Sequence, residues 1–421
     1  MIAIQFRKSI PRYLASRTLG PRWPGIYTSA MSPISQREIP EPDLPTPHWV
    51  RVRPTLSGIC GSDLATICAK GSTYFSPLTS TPFVLGHEAV GIVTEIGAEA
   101  AGVGVGDRVV LQPALGCRVR GQEPACEACA SGRVALCSNV TRGDISAGIQ
   151  TGYCRDTGGA WSEGFVAHDS QLHAVPDSMD DELAVLCEPF ACALHGALRA
   201  RLECLSKADN GGSTVVLVMG CGSIGLLTIA AIRAIGSDAR IIAVAKYPHQ
   251  REHAKSLGAS EIVMHARDVN ALYARLAAAL HVELHRPEIG KPTVIGGADL
   301  TFDCVASSSS IDDCCRFTRA GGRTVLVGMP GIPSGVDWTS IWYKELTVRA
   351  AYAYGREAFH GKTRTTFDLA LELMPKSEGA LRALVGEPFA LREHRAAVRA
   401  ALHTGAGRSV KTIFRVESRR V

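Results

Sequence analysis

The stretch Thr214-Val-Val-Leu-Val-Met-Gly-Cys-Gly-Ser-Ile-Gly-Leu-Leu-Thr-Ile-Ala-Ala231 constrains the fold more than any other part of the chain. Its β-branched apolar run, 215–218, suits a strand buried on both faces. Gly220-x-Gly222-x-x-Gly225 follows, then helix formers through Ile235. Gly220 permits the tight turn, Gly222 lets the backbone approach a pyrophosphate, and Gly225 lets the helix pack close to the strand. Ser223 and Ile224 open that helix, whose N-terminus offers free N–H groups and a positive dipole end to phosphates. A lone motif of this kind is weak. With a strand before it, a helix after it and a second strand at 240–244, it reads as a dinucleotide-binding βαβ unit.

One residue of that unit is missing. An Asp or Glu is expected about 20 residues past the loop, where it would hold a ribose 2′-hydroxyl. That position is Ala245, followed by Lys246 and Tyr247. Without the carboxylate nothing repels a 2′-phosphate, and Lys246 can pair with one. NADP is therefore favoured over NAD, the other reading being a solvated Lys246 and tolerance of either cofactor.

A chain of 421 residues is too long for one core, so two domains are expected. The net charge of +5 carries no nucleic-acid footprint by itself. No run of about 18 apolar residues exists, so no transmembrane helix and no membrane partner is expected. Fourteen cysteines beside a nucleotide-binding unit argue for metal and reduced thiols over a disulfide framework. The N-terminus lacks a secretory pattern. It has Arg7, Lys8, Arg12, Arg17 and Arg22 and no acid before Glu38, as a transit peptide does, but its Pro and Gly content argues against an amphipathic targeting helix. A cytoplasmic protein is expected.

Many short strand-like segments (2–6, 49–53, 83–96, 106–111) make the first 200 residues a β-rich domain. Residues 7–35 read as an irregular basic loop or arm. Cys117, Cys126, Cys129 and Cys137 then fall in one short loop, and four thiolates suit a closed, structural tetrahedral zinc site. Residues 178–200 look helical. Further strands of the nucleotide-binding domain are expected at 261–264, 299–304, 323–328 and 346–350, with 276–297 a surface insertion. A helix at 366–374 and a strand at 410–414 return to the first domain.

Together, Gly58-Ile-Cys-Gly-Ser-Asp63, Gly86-His-Glu88, Gly106-Asp-Arg-Val109, the cysteine lobe, Glu188-Pro189 and the glycine-rich loop resemble the zinc-dependent medium-chain dehydrogenases, the alcohol, polyol and threonine dehydrogenase group. The resemblance covers essentially the whole chain. It implies an α/β protein: a GroES-like β-rich catalytic domain (1–205 and 346–421, zinc lobe near 117–137) interrupted by a Rossmann doubly wound parallel sheet (206–345), with the active site in the cleft between them.

By the same resemblance a catalytic zinc is held by Cys60, His87 and Glu188, with Glu88 as a second candidate for the acid. A thiolate, an imidazole and a carboxylate leave a fourth position open for an alcohol or carbonyl oxygen. Ser62 matches the family's proton-relay hydroxyl. The relay histidine of some relatives is Ala65 here, and Gly61 replaces an arginine that some relatives place on the pyrophosphate. Lys411 occupies a position where relatives place a basic residue near the pyrophosphate. The lobe departs from the family in one respect: Cys117 precedes Cys126 by more than the usual spacing, with Arg118, Arg120 and Glu123 between.

The function implied is a zinc- and NAD(P)-dependent oxidoreductase acting on a secondary alcohol or polyol. The alternatives are a zinc-free enone or quinone reductase of the same superfamily and a non-catalytic nucleotide-binding sensor. Retention of Cys60, His87 and Glu188 counts against both. Residues near Leu64, Tyr74, Phe75 and Trp161 are expected to line a partly apolar pocket. The arm at 7–35 is expected over the cleft or at a subunit contact, and the family implies a homodimer or homotetramer.

Overall fold

The computed structural model describes residues 1–202, 213–403 and 409–417, and these form two compact units. One comprises 1–188, 354–371 and 385–421, the other 189–353 and 372–384. The boundary expected at 205/206 lies outside the described residues.

The second unit is built on a six-stranded, wholly parallel sheet in the spatial order Glu261–Met264, Arg240–Ala245, Val215–Met219, Ala298–Asp303, Thr318–Leu326, Thr347–Ala350. That order reverses direction beside Val215–Met219, the strand that leads into the glycine-rich loop, which is the doubly wound arrangement. Strands buried on both faces need continuous apolar runs, and Leu217, Ile242, Val244 and Val263 join one core with Leu272, Tyr273, Leu276 and Phe317. The stretch 276–297 is only partly an insertion. It begins as the end of the helix Val269–Leu280 and continues as a two-stranded hairpin, Glu283–His285 with Thr293–Ile295.

The first unit is β-rich. Its central strand, Trp49–Gly58, pairs with Ala89–Ile96, Phe165–His168 and Ile413–Arg415 in a seven-stranded sheet. A three-stranded sheet joins Ile34–Glu38, Ile2–Phe6 and Phe83–Val84. Residues 7–35 are not irregular. They fold as the helix Ile10–Thr18 and a 3-10 turn, Pro24–Thr28. Pro11 reads as a helix breaker in sequence, but it sits in the first turn, where the missing N–H costs nothing. The helical stretch at 178–200 is two helices, Asp181–Ala184 and Cys187–Arg199.

Candidate active site and metal centres

The helix Gly61–Ile67 begins at Cys60, whose backbone N–H donates to Asp63 Oδ2 at 2.9 Å. Asp63 is fully buried, and its Oδ1 lies 3.5 Å from His87 Nδ1. This turns the other imidazole nitrogen, Nε2, towards Ser62 Oγ at 3.4 Å. Burial alone would lower the His87 pKa, but Asp63 and then Cys60 outweigh it and hold it well above its usual value. Gly86, with φ +97°, cannot take a side chain, because a Cβ would run into Trp161.

The donor atoms of Cys60, His87 and Glu88 lie within 4.8 Å of one another. Glu88 is buried, and its Oε2 is ion-paired with the Lys411 ammonium, while its Oε1 has no hydrogen-bond partner among the described residues. A soft thiolate, an imidazole fixed by a carboxylate behind it and a carboxylate oxygen with a spare lone pair fit zinc with an open position. Glu188 lies outside that group. It is buried in the first turn of Cys187–Arg199, and its charge acts on Lys411.

Lys411, expected near the pyrophosphate, is buried: it donates to the Ile59 carbonyl at 3.0 Å and pairs with Glu88. Burial would lower its pKa, but Glu88, Cys60 and Glu188 together raise it. Gly58 makes room for this pair, because a Cβ there would overlap Glu88 Oε2. The four residues expected near the pocket fall in different settings. Trp161 is a core residue, stacked edge-on against Phe414 and donating its indole N–H to the Gly58 carbonyl. Tyr74 and Phe75 are exposed on the turn Thr73–Leu78. Leu64 packs against the core that holds Trp161.

The aromatic residue that does approach the cluster is Tyr153. Its ring lies 6.1 Å from that of His87, and its hydroxyl is 3.0 Å from Thr66 Oγ1. Thr66 in turn donates to the Ser62 carbonyl at 3.0 Å. No motif in the sequence points to Tyr153, since the loop carrying it has no regular period.

Cys117, Cys126, Cys129 and Cys137 converge within 4.8 Å. The long spacing after Cys117 is absorbed by a 3-10 turn, Arg118–Arg120. Arg120 is wholly buried and donates to the carbonyls of Leu115, Arg142, Ile145, Ser146 and Gly148. The sulfurs receive N–H groups: Cys126 N–H to Cys117 Sγ, and Asn139 N–H to Cys137 Sγ, each 3.3 Å. Burial would raise the Cys126 thiol, but the N–H groups of Cys129 and Ser138 bring it down to about 6. Burial pushes the Cys129 thiol up and the Cys137 thiol up to about 11, so without a cation beside them Cys126, and not these two, is held as a thiolate. Four sulfurs gathered this closely suit a closed zinc site, where the metal's charge would hold all of them deprotonated.

In the second unit Gly220 has φ +93°, and a Cβ on Gly225 would overlap the Gly220 carbonyl oxygen. Gly222 differs: a Cβ there meets nothing, so its backbone faces open space at the start of the helix Ser223–Ala234. No side-chain cap is present at that N-terminus among the described residues, and its positive dipole end suits an incoming anion. Ala245 is buried at the end of its strand, and Lys246 is exposed, with its ammonium 5.3 Å over the Tyr247 ring.

Comparison with known proteins decides the family. The family model for the alcohol dehydrogenase GroES-like domain matches residues 46–177, and that for zinc-binding dehydrogenases matches 223–371. The chain is 30% identical over 344 residues to sorbitol dehydrogenase of Arabidopsis thaliana, covering 82% of each chain. It belongs to the zinc-dependent medium-chain dehydrogenase family. This dehydrogenase is also 28% identical to L-idonate 5-dehydrogenase of Vitis vinifera, over 87% of its own length and 88% of the relative's. A solved structure from Sinorhizobium meliloti 1021, bound to NADP, shares 26% identity with a TM-score of 0.65, over 91% and 95% of the two chains. The chain is thus an alcohol-dehydrogenase-like oxidoreductase that uses zinc and a nicotinamide cofactor.

Proposed function

We propose that this enzyme interconverts a polyol and its ketose, preferring NADP(H). The reading rests on the Cys60, His87 and Glu88 cluster, whose donor set suits a zinc with one position left for substrate. Zinc bound there would lower the pKa of a substrate hydroxyl, and the nicotinamide would exchange hydride with the carbon bearing it. The chain's residues supply the rest. Asp63 fixes the His87 tautomer and ring. Ser62 Oγ accepts the substrate's hydroxyl proton and passes it outward, Ala65 offering no imidazole for the next step. Tyr153 and Thr66 present a pair of hydroxyls beside His87, suited to hydrogen-bonding a second substrate hydroxyl. The relatives named for sorbitol and idonate support the same class.

The NADP preference rests on Ala245 and Lys246, and the NADP-bound relative agrees with it. Cys117, Cys126, Cys129 and Cys137 hold the structural zinc. A homodimer is supported by the exposed Trp338, Trp342 and Tyr343, which precede the edge strand Thr347–Ala350. Sedimentation of the purified protein tests it, and a monomer at all concentrations would contradict it.

Two titrations test the main reading. NADPH is expected to quench protein fluorescence with a Kd about tenfold below that of NADH. Equal affinities would remove Lys246 from the site. Hexitols and pentitols are expected to be oxidised with a kcat/KM about tenfold above simple secondary alcohols. A reversed order would overturn the polyol assignment.

A further inference from the structure

The arm between strands Ile2–Phe6 and Ile34–Glu38 carries none of the residues assigned to hydride transfer. Its inner side is anchored. Ser16, Gly20, Tyr27, Thr28 and Ser32 are buried, and Tyr27 packs in one core with Ile67 and Val398. Gly20 is needed for that anchoring, because a Cβ there would overlap the Tyr27 ring. The arm is therefore a docked element of the first unit with one fixed face.

The outer side is apolar and cationic at once. Ile10 is 70% exposed and Leu14 is 51% exposed, one turn apart on the helix Ile10–Thr18. Leu19, Trp23 (60% exposed) and Met31 extend the exposed apolar groups. Arg7, Lys8, Arg17 and Arg22 are exposed among them, and Arg12 is half-buried. None of these five cations has an ion-pair partner among the described residues, and no acid occurs in the sequence before Glu38. Arg395, from the helix His394–Leu402, adds a further cation beside Tyr27, Ser29 and Ser32.

We propose that this face docks on the surface of an anionic lipid bilayer. Aliphatic and indole side chains leave water by entering the headgroup boundary, while guanidinium groups stay at the phosphates. The partner must be anionic, because nothing on the face neutralises its cations. A second copy would bring the same charges against it and be repelled. A single-stranded nucleic acid would stack its bases on aromatic rings, whereas Ile10, Leu14 and Leu19 are aliphatic. No described helix is long and apolar enough to cross a membrane, so the attachment is peripheral.

Vesicle flotation of the whole protein tests this. Phosphatidylcholine vesicles containing about one-third phosphatidylserine are expected to carry the enzyme at least about tenfold better than phosphatidylcholine alone, with the difference lost at about 1 M salt. The double variant Arg17→Glu/Arg22→Glu and the single variant Trp23→Ser should each lower binding about tenfold, with oxidation rate and melting temperature unchanged. Equal flotation with both lipids, or none with either, overturns the proposal. So does preferential binding to single-stranded DNA, or retention of lipid binding by both variants.

Discussion

The two cysteine-containing clusters are alike in size and opposite in construction. Each gathers its donor atoms within 4.8 Å. In the lobe all four are sulfurs from one 21-residue stretch, 117–137, and two of them accept N–H groups from Cys126, inside that stretch, and Asn139, two residues past it. At Cys60, His87 and Glu88 the donors are of three chemical kinds. Their supports are Asp63 behind His87 and Lys411 behind Glu88, the latter more than 300 residues away in sequence. A site of four like ligands made by a local loop closes on its metal and holds the fold. A site of unlike ligands held by the tertiary structure can keep a position vacant for chemistry.

Breaking each cluster should therefore give opposite results. His87→Ala is expected to lower kcat/KM by about 10³-fold or more while the melting temperature holds, with zinc falling from about two to about one per chain. Steady-state kinetics with metal analysis checks this, and a variant that keeps its activity would remove His87 from the site. Cys129→Ser should instead cost about 3 kcal/mol or more of stability, read by denaturant unfolding. An unchanged unfolding midpoint would mean the lobe holds no structural metal.

The third prediction concerns what stands behind the ligands. Lys411→Met leaves the Glu88 carboxylate buried and uncompensated, at an expected cost of about 3 kcal/mol. Adding Glu88→Gln should recover part of that stability but not activity. If Lys411→Met alone is neutral in unfolding and impairs only cofactor binding, Lys411 belongs to the phosphate site after all. The smallest effect is expected at Tyr153→Phe. It should lower kcat/KM for a polyol about tenfold relative to a simple secondary alcohol, about 1.4 kcal/mol of discrimination. An equal loss for both substrates would make Tyr153 a packing residue.

The same contrast explains what the sequence disclosed. The lobe was legible because its ligands are close in sequence, and the glycine-rich loop because Gly220, Gly222 and Gly225 each answer a local steric demand. The parallel strands showed as apolar runs, since burial on both faces leaves no alternation. Cys60, His87 and the two candidate acids, Glu188 and Glu88, come by family resemblance, and the 4.8 Å cluster contains Glu88. Residues that act through tertiary contacts stayed hidden. Lys411 looks like any surface lysine until Glu88 is placed against it, and Arg120 like a loop arginine until carbonyls from 115 to 148 surround it. Tyr153 sits in an aperiodic loop, and Trp161 is not placed by the sequence because an aromatic near a motif can equally be core. The helix Ile10–Thr18 is hidden in the sequence because Pro11 resembles a helix breaker, and only its place in the first turn makes it harmless.

The most direct test of two sites with two tasks is a chelator time course on the purified enzyme, following zinc release, oxidation rate and far-ultraviolet circular dichroism together. About one zinc per chain should leave first, taking the activity with it and leaving the dichroism unchanged. The second should leave slowly and in step with unfolding. Activity that survives loss of the first zinc, or two zincs that leave together with the fold, would contradict the division of labour between the clusters.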